Sequence, residues 1–182
     1  MELIYQNLNH VFCVLLLIGR LGDIISTYIV TPNLKLEANP IVRKFRYPFA
    51  FATIFVCVVP YWNLGLGLAL IVASYLVSFL NISKMWFLKT LGEEDAFKLY
   101  LYIAQKSSLK MAILPSVIAC SFLAAIGAIC LLFYPHTSDW GFYFGIGVIG
   151  FALAIQIHTL FYFKRIFRAA QTDSYRLNFE RA

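Results

Sequence analysis

The sequence predicts an all-α fold, a polytopic transmembrane helical bundle of five spans. Three observations carry this: long apolar runs, too few charges to cover a soluble surface, and basic residues confined to alternate connections. The 182 residues are 61% hydrophobic and 13% charged, with a mean hydropathy of +0.76. A soluble domain carries roughly 25% charged residues. Crossing about 30 Å of hydrocarbon takes about 20 apolar residues, so the length holds five spans with short connections in one membrane domain. The formal charge of +6 sits at the ends of the apolar runs. That favours membrane lipids with anionic headgroups, and not nucleic acid, as partners.

The first span covers about residues 8–30 and stops before Pro32. No basic stretch precedes it and no small-residue cleavage site follows it, so it reads as a retained helix. The second covers about 40–60. Asn39 is its N-cap, Pro40 takes the first helical position, and Pro48 kinks it. Tyr61-Trp62-Asn63 forms an interfacial turn. The third span covers about 64–85. Residues 91–105 then predict an amphipathic helix on the cytoplasmic surface, with Glu93, Glu94 and Asp95 at its N-terminal end and Lys106 at the other. Phe97, Leu101 and Ala104 face the membrane in that reading, and a solvated loop helix is the alternative. The fourth span covers about 109–134, ending at Pro135, and the fifth about 140–163, followed by a basic tail at 164–182. Gly65, Ala69 and Ala73, and on the last span Gly141, Gly145, Gly150 and Ala154, form small-residue rows that let helices approach closely.

Fourteen of the fifteen Lys and Arg residues fall on one side in this arrangement. Lys35, Arg43, Lys44 and Arg46 lie in and just after the first connection. Lys84, Lys89, Lys98, Lys106 and Lys110 flank the third, and Lys164, Arg165, Arg168, Arg176 and Arg181 lie in the tail. Basic residues are retained in the cytoplasm. The expected placement is therefore the inner (plasma) membrane, with the N-terminus outside and the C-terminus cytoplasmic. A four-span reading would break the alternation. Trp62, Tyr134 and Trp140 fall at outer helix ends, as interfacial aromatics do.

The fifteenth basic residue, Arg20, lies inside the first span. An ionised group there costs at least about 2.5–3.5 kcal/mol, so such groups are paired and face inward. Arg20 and Asp23, three residues apart, share a helix face and can pair. Thr27 is one turn further on, and Gly19 and Gly22 reduce the bulk beside them. Asp23 lies roughly 10 Å above the inner end of its helix at 1.5 Å per residue. Gln156 and His158 of the last span fall at nearly that depth, and Ser74, Ser78 and Asn81 form a polar stripe on the third. Glu37 and Asn39 return to the cytoplasmic mouth of the same layer, with Glu37 turned inward. The buried polar site expected from the sequence is thus Arg20, Asp23, Thr27, Glu37, Asn39, Ser78, Asn81, Gln156 and His158. Its plain alternative is structural pairing.

Two weaker groupings accompany it. The start of the second span at Asn39-Pro40, followed by Arg43, Lys44 and Arg46, suits an anionic headgroup, against the general inward bias of basic residues. His10, Cys13, Cys57, Cys130 and His136 lie near outer helix ends and carry soft-metal ligand types. They have no motif spacing, so no metal or other cofactor is expected. The four cysteines include no CxxC pair.

Asp23-Ile-Ile-Ser-Thr27 followed by Glu37-Ala-Asn39-Pro40 resembles the signature of a family of small prokaryotic multi-pass membrane proteins defined by a domain of unknown function. That family carries Asp-x3-Thr on its first span and Glu-x-Asn-Pro after it. The resemblance covers residues 19–45. It implies weight on Asp23, Thr27, Glu37, Asn39 and Pro40, and names no reaction. Three functions remain open: ion or small-solute transport, an accessory membrane subunit (as homo-oligomer or with a partner subunit), and an intramembrane enzyme or binding protein acting on a lipid headgroup. The absence of HExxH and GxSxG places the noncatalytic readings first.

Overall fold

Small side chains decide which spans meet. Between apolar helices in lipid there is no hydrophobic drive to associate, so close packing and interhelical hydrogen bonds do the work. The structure, a computed structural model, describes residues 2–172, with side chains for all of these except residues 2–6 and Tyr47. Every regular element described is helical: α1 (Glu2–Val30), α2 (Pro40–Phe45), α3 (Tyr47–Ala52), a 3₁₀ segment (Thr53–Tyr61), α4 (Leu64–Leu91), α5 (Glu93–Lys106), α6 (Leu109–Phe133) and α7 (Trp140–Gln171). Four stretches are long and apolar enough to cross a membrane: Asn7–Val30, Leu64–Leu91, Leu109–Phe133 and Trp140–Gln171. Arg176 and Arg181 of the expected tail lie outside the described residues.

The four long helices form a row in which α1 packs on α4, α4 on α7, and α7 on α6. Cross-helix neighbours give their directions. Gly19 meets Ser74 and Tyr75, and Gly22 meets Ser78; Gly65 meets Tyr143, and Gly147 meets Ala69. In both pairs the numbers rise together, so α1, α4 and α7 are parallel. Gly127 meets Gly145 and Ile149, while Ser116 reaches Gln156, so α6 is antiparallel to α7. Parallel α1 and α4 require the chain between them to return along the full length of the bundle. It does so against α1 and α4. At its far end the Tyr61 hydroxyl is 2.6 Å from His10 Nδ1, near the start of α1.

That return stretch departs from the single kinked helix expected over 40–60. It is two six-residue α-helices and a nine-residue 3₁₀ helix. Pro48 has no N–H to give and its ring excludes the carbonyl four residues back. The helix breaks just before it, at Arg46, whose φ of 52° and ψ of −134° are unusual for a residue with a side chain. A 3₁₀ helix rises about 2.0 Å per residue against 1.5 Å for an α-helix, so α3 and the 3₁₀ segment together reach about 27 Å.

Two helices run past their expected ends because a layer built on α5 supports them. α4 continues to Leu91, where Gly92 (φ 79°) turns the chain. Its buried Leu88 packs with Val30 and Ala96. α7 continues to Gln171, since Ile166 and Ala170 form a core with Leu101 and Ala104 of α5. This corrects the expected facing of α5. Leu101 and Ala104 are buried against α7 with Phe97 beside them, whereas Leu99, Tyr102 and Ile103 are the exposed apolar residues.

Candidate functional site

The site is built where α1 and α4 come closest. At Gly19 an added Cβ would lie 3.0 Å from the Tyr75 ring and 3.1 Å from Ser74 Cβ, and at Gly22 it would lie 3.2 Å from Ser78 Oγ. The glycines thus bring α4 near enough for the Ser78 hydroxyl to donate to the Gly19 carbonyl at 2.9 Å. One turn further in, Arg20 Nη1 is 3.5 Å from Asp23 Oδ2. The Asn81 amide donates to Asp23 Oδ1 at 3.1 Å and to Thr27 Oγ1 at 3.0 Å. Both Asp23 oxygens are therefore engaged.

Below this layer the loop 31–39 brings back Glu37. The Asn39 amide donates to Glu37 Oε1 at 2.6 Å. The Asn39 side chain accepts from the Ile41 and Val42 amides, at 2.9 and 3.4 Å, and so caps α2. Burial raises the Glu37 carboxyl above the usual carboxylate range, the Asp23 charge adds to this, and the Asn39 and Ala38 amides and Lys84 oppose it. A carboxyl raised in the folded state favours folding most when protonated. That contribution is complete below the unfolded value and is lost as pH rises through the folded one. Glu37→Gln is therefore expected to raise thermal stability at neutral pH, with the gain shrinking as pH falls toward 4.5. Melting curves across that range check it, and a gain that grew on acidification would reverse the assignment.

Sequence reasoning missed the residue that holds this loop. Glu93, only 8% exposed, accepts the Thr31 hydroxyl, the Asn33 amide at 2.8 Å and the Lys35 amide at 2.6 Å. Burial pushes its carboxyl up. The Thr31 hydroxyl and the Asn33, Lys35 and Leu36 amides outweigh that and leave it below the ordinary glutamate value. Lys35 also pairs with Glu94, and Arg165 donates to the Lys35 carbonyl. Glu93 pairs with residues about sixty positions away, through backbone amides that no residue type advertises. The one legible signal was an acidic residue opening a helix.

Other expected members lie elsewhere. Gln156 faces α6, where its Oε1 accepts from Ser116 at 3.3 Å. His158 is half-buried on α7, whose main packing partners are α6 and α4. The polar layer is thus made by α1, α4 and the loop. Arg43, Lys44 and Arg46 are exposed on and after a helix of six residues, with Lys44 over the Phe45 ring at 5.3 Å. The Ile41 and Val42 amides expected to meet a headgroup are already taken by Asn39. The outer Cys and His residues do not assemble: His10 meets Tyr61, and among the described residues no three His, Cys, Asp or Glu side chains are grouped to hold a metal. The chain matches no protein-family model, no curated protein and no solved structure.

Proposed function

We propose that the protein crosses the plasma membrane five times, N-terminus outside and C-terminus cytoplasmic, and handles a proton or small cation at Asp23 and Glu37. The observation that carries this reading is a buried Glu37 carboxyl within electrostatic reach of Asp23 and Lys84, beside an Asp23 whose oxygens are already engaged. Asp23, held by Arg20 and Asn81, is a fixed charge. Glu37 is held by backbone amides of its own loop, Asn39 foremost, with no side-chain donor among the described residues fixing it as Asn81 fixes Asp23, and is the exchangeable group. Intramembrane and mouth-facing carboxylates of this kind mark ion and proton paths. The motifs Asp-x3-Thr and Glu-x-Asn-Pro, on which the family resemblance rests, supply these same residues.

The return stretch is the fifth crossing in this reading. Its reach of about 27 Å comes close to the roughly 30 Å of hydrocarbon, and the parallel run of α1 and α4 supports it. A reporter active only outside the cytoplasm is expected to stay silent at the C-terminus and to give signal when fused after Trp62. The reverse pattern would overturn the topology.

The functional test is flux. Protein reconstituted in vesicles under a pH or monovalent-cation gradient is expected to collapse it, and Glu37→Gln to behave as empty vesicles. A wild-type preparation no different from empty vesicles would remove the reading. One observation favours a second reading, a lipid-headgroup binder. Arg43 and Arg165 repel each other and Arg165 is drawn to Glu37, an excess of positive charge at the inner mouth. Co-purified anionic lipid lost in Arg165→Gln is the result that reading expects.

A further inference from the structure

The loop that carries Glu37 is held from outside as well as by its own hydrogen bonds. Residues 31–36 wrap around one carboxylate supplied by α5. Glu93 Oε1 receives the Thr31 hydroxyl and the Lys35 amide, and Oε2 receives the Asn33 amide. The Leu36 amide donates to Thr31 Oγ1 at 3.2 Å, closing the ring. Between the two amides Leu34 sits at φ 56° and 2% exposure. A large apolar residue in the left-handed region is strained; its own amide donates to the Thr31 carbonyl at 2.9 Å, while the amides on either side of it converge on the carboxylate. The strain persists because Glu93 holds both flanking amides. Glu37 is the next residue, and its inward turn depends on where this loop ends.

We propose that Glu93 is the positioning residue of the Glu37 site: by gathering Thr31, Asn33 and Lys35 onto one buried carboxylate, it latches the loop so that Glu37 points at Asp23. The cytoplasmic helix α5 thereby regulates the site, since any movement of α5 away from the ends of α1 and α4 releases the loop and exposes Glu37 to water. Glu93 touches no transported species and acts only through Glu37. The inference rests on the reading of Asp23 and Glu37 as one site.

The test is performed on the full chain in lipid nanodiscs and reads two local quantities. The first is the titration of the Glu37 carboxyl, followed as an infrared band assigned by its loss in Glu37→Gln. The charged groups that face it are Asp23 of α1, Lys84 of α4 and Arg165 of α7, with Arg43 beyond. The second is hydrogen exchange at the Asn33, Lys35 and Leu36 amides. In Glu93→Gln the Glu37 carboxyl is expected to titrate about one pH unit lower, as its burial is lost. The three amides are expected to exchange about tenfold faster. Thr31→Val removes one donor and is expected to fall between, and Glu93→Asp to restore part of the protection. An unmoved Glu37 titration beside deprotected amides would reduce Glu93 to a structural anchor and overturn the proposal. If Glu93→Gln does not fold, Thr31→Val decides it by the same readings. Flux and titration fail separately. A protein without flux whose Glu37 titration still moves loses the ion-handling reading and keeps the latch; flux with an unmoved titration does the opposite.

Discussion

Asp23→Asn is expected to destabilise the protein by about 3 kcal/mol, the lower end of what breaking a buried ion pair costs. The change is nearly isosteric and still offers Asn81 an oxygen, so packing and the Asn81 bridge survive. What is lost is the counter-charge of Arg20. That guanidinium is about one-fifth exposed, and its Nε is buried with no partner among the described residues, so it holds little in reserve. The new amide also presents donors toward a group that only donates. Combining Asp23→Asn with Arg20→Gln removes both charges and is expected to recover most of the loss. Unfolding in detergent of the wild type, both single variants and the double variant measures the coupling. Strictly additive effects would show that the 3.5 Å approach contributes nothing.

This pair was readable because it depends on only one helix and one solvent. Charged groups in lipid must find partners, and Arg20, Asp23 and Thr27 recur at helical spacing. The stripe Ser74, Ser78 and Asn81 has the same period, so the two faces that meet across α1 and α4 were visible separately. Asn39 was readable as a cap for the same local reason. Gln156 and His158 were assigned to the layer by depth alone, and depth does not say which neighbour a helix has. α7 stands between α4 and α6, which sends Gln156 to Ser116. The break at Arg46 could be placed near Pro48, but the 3₁₀ segment after it could not; its end packs Pro60 on Gly67, where a Cβ would come within 2.9 Å. The layer built on α5 was the least legible. Facing α5 toward lipid put Leu101 on the wrong surface, because the apolar partner it buries against is the end of a helix about 65 residues away.

Gly147→Leu is expected to abolish the folded state, and Gly147→Ala to cost about 3 kcal/mol, the upper end of overpacking losses. A Cβ at this position would lie 2.7 Å from the Ala69 carbonyl oxygen and 3.0 Å from Ala69 Cα. Both are backbone atoms of a helix that cannot yield without moving as a whole. Gly145, two residues earlier and so about 200° around the helix, faces the opposite neighbour: its Cβ would lie 2.7 Å from the Gly127 carbonyl, and that of Gly127 2.8 Å from the Gly145 carbonyl. α7 therefore approaches α4 on one side and α6 on the other closely enough for backbone to meet backbone at these glycines. The small-residue row expected from the sequence placed Gly145 correctly, continued to Gly150 and passed over Gly147. At Gly150 a Cβ meets nothing within 4 Å, so Gly150→Ala is expected to stabilise by up to about 1 kcal/mol through helix propensity. The two alanine variants thus carry opposite signs within one turn of the same helix. Thermal unfolding of both in the same detergent reads the difference, and Gly147→Ala matching wild type would show that α4 and α7 do not meet at Ala69.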